Sequence, residues 1–161
     1  MKTLYESILD DDDVLIGDVK KTSNEFDVIL SLCKEGDFDR LTEMCNDGLL
    51  DKFIKDILYV DPKELKIDGH FYYYGLYAVE YFMNHNKELV LLRIKYSLRG
   101  GKLYISIPNN EGITNFQYVE KIGDQLNDMY NKRNKITRSI KKLGFTKNKT
   151  QIPYIDLFEK N

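Results

Sequence analysis

Two alternating apolar runs separated by a pair of glycines constrain this chain more than any other feature. From Glu88 to Leu98, Val90, Leu92, Ile94, Tyr96 and Leu98 fall on one side, with Arg93, Lys95 and Ser97 on the other. From Lys102 to Pro108, Leu103, Ile105 and Ile107 alternate in the same way. Successive strand side chains point to opposite faces, so each run reads as a half-buried strand. Arg99-Gly100-Gly101-Lys102 between them is a two-residue hairpin signal. Pairing Arg99 with Lys102 sets Leu98 opposite Leu103, Tyr96 opposite Ile105 and Ile94 opposite Ile107. A one-residue slip would turn one apolar set to water, so the pattern selects a buried face.

The segment before this hairpin, HFYYYGLYAVEYFMNHNK, fits two periods. As a helix it aligns Phe71, Tyr74, Gly75, Ala78, Val79 and Phe82; as a strand it aligns Tyr73, Tyr77, Val79, Tyr81 and Met83. Aromatic density favours the strand. A four-residue turn over Asn84–Lys87 would then set Met83 opposite Glu88, Tyr81 opposite Val90 and Val79 opposite Leu92. Glu64–Ile67 adds a short edge strand. The sheet is thus expected as an antiparallel meander of three or four strands over residues 63–108.

Helical periods flank the sheet. Thr22-Ser23-Asn24-Glu25 has the S/T-x-x-E capping form, followed by Phe26, Ile29, Leu30 and Cys33 at helical spacing and by Gly36. Asp37 can cap a second helix carrying Phe38, Leu41, Met44 and Cys45, ended at Gly48. A third carries Leu50, Phe53, Ile54, Ile57 and Leu58 and ends before Asp61-Pro62, because the residue before proline leaves the helical region. Helices this short need tertiary packing to persist. CKEGDFDRLTEMCNDG resembles the helix-turn-helix half of an ankyrin repeat, but the TPLH-type turn and a second copy are absent, so no array is expected. Downstream, Phe116, Val119, Ile122, Leu126, Met129, Arg133, Ile136, Ile140 and Leu143 recur every three or four residues. They predict one long helix over 114–143, about 42 Å at 1.5 Å per residue, packed on the apolar sheet face. The fold class is α+β: an acidic segment over 1–21, then one domain over 22–161. That domain has helices over 22–61, the sheet over 63–108, the long helix, and a tail over 144–161.

Composition narrows the function classes. With 161 residues, 42% hydrophobic and 31% charged, the chain lies far from the disordered corner. No apolar run approaches the length that spans a bilayer, and the acidic N-terminal stretch is unlike a secretory signal, so no membrane partner is expected. Cys33 and Cys45 sit in apolar stripes and do not supply a zinc-binding pattern; His70 and His85 sit beside turn residues. Asp61 followed by Glu64-Leu65-Lys66 only loosely matches the acid and E-x-K pattern of nucleases. The adjacent glycines belong to the hairpin, so no phosphate-loop or dinucleotide motif stands here. No catalytic residues, metal or cofactor are expected, and the chain reads as a non-enzyme.

Charge is unevenly spread. Residues 1–61 hold 16 acids and 7 bases, a net −9, and residues 62–161 hold 10 acids and 17 bases, a net +7. Within 131–150 stand eight bases and no acid. Lys132, Lys135, Arg138 and Lys142 fall off the apolar stripe of the long helix and can meet an anionic surface together. The expected partner is a protein or a second copy of the chain, with nucleic acid as the alternative.

Near the N-terminus, LYESILDDDDVLIGDVKK resembles a short segment carried by many uncharacterised proteins of gut Bacteroidetes and of their phages, including crAss-like phages. The likeness covers Leu4 to Lys21. It implies a bacterial or phage protein, in the cytoplasm or on a virion. Because unrelated bodies follow such segments, it also implies a docking peptide, with Leu4, Tyr5, Ile8 and Leu15 as its apolar contacts.

Overall fold

A computed structural model describes residues 24–70, 76–83, 86–116 and 123–161. The chain is α+β. Three helices come first: α1 (Glu25–Glu35), α2 (Phe38–Asn46) and α3 (Asp51–Asp56). The capping box expected from Thr22 and Glu25 is instead made by Asn24 and Asp27. Asn24 Oδ1 accepts from the amides of Phe26 (2.9 Å) and Asp27 (3.0 Å), and Asp27 Oδ2 accepts from the Asn24 amide (3.2 Å). Asparagine caps as well as serine or threonine, and this choice leaves Glu25 inside the helix. Gly36, at φ 77, ends α1; its amide and that of Asp37 bond back into the last turn. Phe26, Ile29, Cys33, Leu41, Cys45, Phe53 and Ile54 are all buried. Phe26 stands edge-on to Phe53 (4.8 Å) and to Phe145 (5.1 Å), a geometry in which ring edges meet ring faces.

The sheet has six antiparallel strands in the order β1-β2-β3-β4-β6-β5. They are β1 (Leu65–His70), β2 (Leu76–Met83), β3 (Asn86–Ser97), β4 (Lys102–Pro108), β5 (Thr146–Lys147) and β6 (Ile155–Lys160). β1 to β4 form a four-strand meander, and the strand reading of the aromatic segment holds over Leu76–Met83; residues 71–75 lie outside the described ones.

Two registers differ from those expected. Ser97 pairs with Lys102, Tyr96 with Leu103 and Ile94 with Ile105, so the hairpin loop is Leu98–Gly101 and not Gly100-Gly101 alone. The loop closes by Gly101 N–H donating to the Ser97 carbonyl (2.8 Å), with Gly101 at φ 65. The offset is two residues, which preserves the face of every side chain; alternation alone cannot tell the two registers apart. Likewise Tyr81 faces Leu92 and Val79 faces Ile94, again two residues from the expected pairing. A register shift between Tyr81 and Phe82 leaves Leu91 as an extra residue on β3. That bulge explains why the neighbours Leu91 and Leu92 are both buried, at 1% and 0% exposure, which plain alternation forbids.

The tail joins the sheet. β6 lies between β4 and β5, with Ile105 opposite Phe158 and Ile107 opposite Asp156. Leu92, Ile94, Tyr96, Leu103, Ile105 and Phe158 belong to one buried cluster with the α1–α3 side chains.

The expected single long helix is broken. Helix α4 (Asn110–Phe116) starts earlier than Thr114, because Asn109 Oδ1 accepts from the Gly112 amide (2.8 Å) and so caps it. α5 (Gly123–Asn131) and α6 (Arg133–Lys142) follow, with residues 117–122 outside the described ones. Lys132, at φ −107 and ψ 16, leaves the helical region between them. Leu126, Met129, Ile136 and Ile140 are buried as their spacing requires. At the far end of α6 the Leu143 carbonyl accepts from Asn24 Nδ2 (3.2 Å) and Lys160 Nζ (3.1 Å), and Lys160 also pairs with Asp27 (3.1 Å). A cation at a helix C-terminus and a satisfied terminal carbonyl both favour this docking of α6 against the start of α1.

Candidate functional site: a basic helix face beside a charged groove

Helix α6 reads RNKITRSIKK, with no acid in ten residues. Its apolar face is narrow: Ile136 and Ile140 go inward. Lys135, Arg138, Lys141 and Lys142 are all exposed on the rest of its circumference. Residues 135, 138 and 142 follow helical spacing, so their side chains rise from one outward stripe. Among the described residues none of these four has an ion-pair partner.

Lys132 stands apart from them. It occupies the break between α5 and α6, and its ammonium lies 4.3 Å from the ring centroid of Tyr59. Tyr59 has φ 61, a left-handed conformation costly for a tyrosine, in the connection after α3. Gln125 of α5 accepts from the Asp61 amide (2.7 Å) at the same junction. Lys132 therefore fastens the helix to the 59–61 connection, while Lys135, Arg138 and Lys142 stay together. Leu4, Tyr5, Ile8 and Leu15 lie outside the described residues.

Arg133, which interrupts the apolar stripe in the sequence, turns toward the sheet. Its Nη2 donates to Asp156 Oδ2 at 2.8 Å, and Lys147 Nζ lies 3.4 Å from Asp156 Oδ1. Asp156 is only 8% exposed. A carboxylate so placed needs charged partners, and two cations from α6 and β5 supply them. Arg133 Nε is buried and has no hydrogen-bond partner among the described residues.

This trio lies along a groove of about 760 Å³, lined among others by Glu111, Arg133, Lys147, Lys149 and Asp156. Its far wall is the 148–153 stretch of the loop before β6. Asn148 N–H donates to the Leu157 carbonyl (2.8 Å) and Asn148 Nδ2 to Glu159 Oε1 (2.7 Å). Asn109 N–H donates to the Tyr154 carbonyl (3.0 Å). A Cβ at Gly112 would collide with that carbonyl, so only glycine lets α4 come so close. Tyr154, at φ 71, is 49% exposed and is not among the residues that line the groove, although its neighbours Pro153 and Ile155 are. The sequence reading did not single out Asp156, Tyr154 or this groove. A signal was present: the one basic residue on an apolar stripe and the one acid of QIPYIDLF meet.

Other chemistry-bearing groups are quiet. Burial pushes the Cys33 thiol up to about 12, with further repulsion from Cys45. A thiolate is the reactive form, so Cys33 is held inert. Among the described residues no group of three or more histidines, cysteines or acids converges as metal ligands would. No helix among them is long and apolar enough to cross a membrane. Comparisons with protein-family models, curated proteins and solved structures match nothing.

Proposed function

We propose that this is a small non-enzymatic interaction protein, of bacterial or phage origin, that docks on an acidic protein partner through the outward face of α6. One observation carries the reading: Lys135, Arg138, Lys141 and Lys142 are exposed on a ten-residue helix with no ion-pair partner among the described residues. By contrast Lys102, Arg133, Lys147 and Lys160 all have carboxylate partners. Cations left free on one stripe raise the local potential and favour encounter with an anionic surface. A second copy, presenting its acidic half, is one such partner. A cytoplasmic or virion setting belongs to the same reading, as does docking through the N-terminal segment.

The test is fluorescence anisotropy of a labelled polyglutamate peptide across a salt series. Binding that weakens steeply from 50 to 300 mM salt and is lost in Arg138→Glu/Lys142→Glu supports the reading, since the Debye length falls below about 10 Å over that range. No binding at low salt, or binding that the double variant leaves intact, refutes it. A labelled single-stranded DNA is the competing probe. Tighter binding to it, with a log–log salt slope near about −3 for four neutralised phosphates, replaces the acidic protein with nucleic acid as partner.

A further inference from the structure

We propose that the outward stripe of α6 takes the acidic stripe of α2 on a second copy of the chain, in a head-to-tail contact. The inference rests on the reading of α6 as a docking face and names its partner.

The acidic stripe is built as the basic one is. In α2 the apolar Leu41 and Cys45 are buried, while Asp39 and Glu43 stand exposed one turn apart. Asp47, the residue that follows the helix, is exposed one turn further on. Residues four apart are neighbours on a helix surface, so the three carboxylates fall along one side. None of the three has an ion-pair partner among the described residues. Asp37 adds a fourth acid at the N-terminal end, where its carboxylate accepts from the Arg40 amide (3.3 Å), and Arg40 is the single base of the helix.

The two stripes match in length and oppose in sign. At 1.5 Å per residue, Asp39 to Asp47 covers about 12 Å and Lys135 to Lys142 about 10 Å. Neither reaches the other within one chain: among the described residues no ion pair joins α2 to α6. Charges left unmatched on two helices of one fold are matched when a second copy brings one stripe against the other. The chain as a whole carries the same asymmetry, net −9 over residues 1–61 and +7 over 62–161, so opposite halves of two copies attract before they touch. Because the two patches differ, the contact is heterologous; it closes through a second identical contact or extends to further copies. It is also small. Two helix stripes of this length bury far less than the roughly 800 Å² per partner of a stable interface, so the association is transient and salt-sensitive.

The experiment is sedimentation velocity on the full chain, up to about 0.5 mM protein, at about 50 mM and about 300 mM salt. The proposal expects reversible association at the lower salt that is lost at the higher. Asp39→Lys/Glu43→Lys and Arg138→Glu/Lys142→Glu should each weaken it about tenfold or more, since like charges then face each other. Mixed one to one, the two variants should associate as wild type does, because every α2 stripe again meets an α6 stripe of opposite sign. Carbodiimide coupling, which joins carboxylates to ammonium groups in contact, should link the α6 lysines to Asp39, Glu43 or Asp47 between two chains. Asp39→Lys/Glu43→Lys leaves α6 untouched and should bind polyglutamate at least as tightly as wild type, so failure of the self-contact and failure of the α6 docking face are told apart. Four results overturn the proposal: a chain that stays monomeric at the lower salt, association that either charge reversal leaves intact, a mixture of the two variants that stays monomeric, or coupling of the α6 lysines to Asp10–Asp13 within one chain. The last assigns the face to the chain's own acidic stretch.

Discussion

Gly112→Ala probes the packing that builds the groove. Gly112 lies in the first turn of α4, and an added Cβ would approach the Tyr154 carbonyl oxygen to well under 3.0 Å, a separation real Cβ atoms do not show. It would also stand 3.2 Å from the Tyr154 carbonyl carbon and 3.3 Å from Pro108 Cβ. The obstacle is backbone on one side and a buried proline on the other, so no flexible side chain can yield. Either the 148–154 loop retreats or α4 lifts, and both break the 3.0 Å bond from Asn109 N–H to the Tyr154 carbonyl. Losing that bond costs about 1 kcal/mol, and overpacking adds about 1–3 kcal/mol. Alanine returns up to about 1 kcal/mol of helix propensity. The net is a destabilisation of about 2 kcal/mol, or roughly 4–8 °C in Tm for a chain of this size. Urea titration followed by circular dichroism measures it. Gly100→Ala is the control, because its nearest neighbour is Ser97 Oγ at 3.6 Å; it should stay within about 0.5 kcal/mol of wild type. A Gly112→Ala protein as stable as wild type would refute the close seating of the loop on α4.

Further expectations follow from other contacts. Arg133→Met should cost about 1–3 kcal/mol in urea titration, because Asp156 then keeps only Lys147. Arg133→Met with Asp156→Leu should recover most of that loss, since an apolar pair can replace a buried ion pair. A double variant worse than the sum of the singles would contradict the pairing. Cys33 gives an alkaline limb. Its folded thiol titrates near 12, above the ordinary 9.0, so its contribution is fully present below about pH 9 and is lost as pH rises from there toward 12. The slope in urea titrations, up to about 1.4 kcal/mol per pH unit, should become shallower in Cys33→Ala between about pH 9 and 10; above that Tyr96, also pushed up by burial, adds a slope of the same sign. Glu159 should titrate below the ordinary carboxylate range by NMR, held down first by the Lys102 hydrogen bond and then by Asn148. Its contribution is present above the unfolded value and is lost as pH falls through the folded one. Lys102→Met should bring the Glu159 titration back up.

Much of the sheet was legible because strand faces are written directly in alternation. Val90 to Leu98 and Leu103 to Ile107 identify a two-strand ribbon. What alternation cannot carry is the register modulo two, and both hairpins sit two residues from the expected pairing. Loop geometry decides that number, and a four-residue loop with Gly101 at φ 65 is as compatible with the Gly-Gly pair as a two-residue turn. The bulge at Leu91 was hidden for the same reason. The two strands of the 144–161 tail are hard to see in the sequence because Pro153 and the single acid Asp156 interrupt its apolar residues. Asp156 becomes acceptable in a buried strand only once Arg133 and Lys147 arrive from elsewhere in the chain. The helix over 114–143 was read as continuous because the stripe passes from Met129 through Arg133 to Ile136 without a phase change. The break there follows no glycine or proline; it accompanies the contact of Lys132 with Tyr59. Within the candidate site, the outward position of Lys135, Arg138 and Lys142 was written in helical spacing. The groove was not, because β5, β6, α4 and α6 all contribute to it.

The most direct measurement of the central claim is lysine acylation footprinting of the full chain by mass spectrometry, with and without a bound polyglutamate peptide. In the free protein Lys135, Lys141 and Lys142 should react quickly, and Lys160, which donates to the Leu143 carbonyl and pairs with Asp27, slowly. On binding, protection should fall on Lys135, Lys141 and Lys142 and spare the exposed Lys34 and Lys52 of the α1–α3 layer. Protection centred on Lys34 and Lys52, or uniform across all exposed lysines, would contradict α6 as the docking surface.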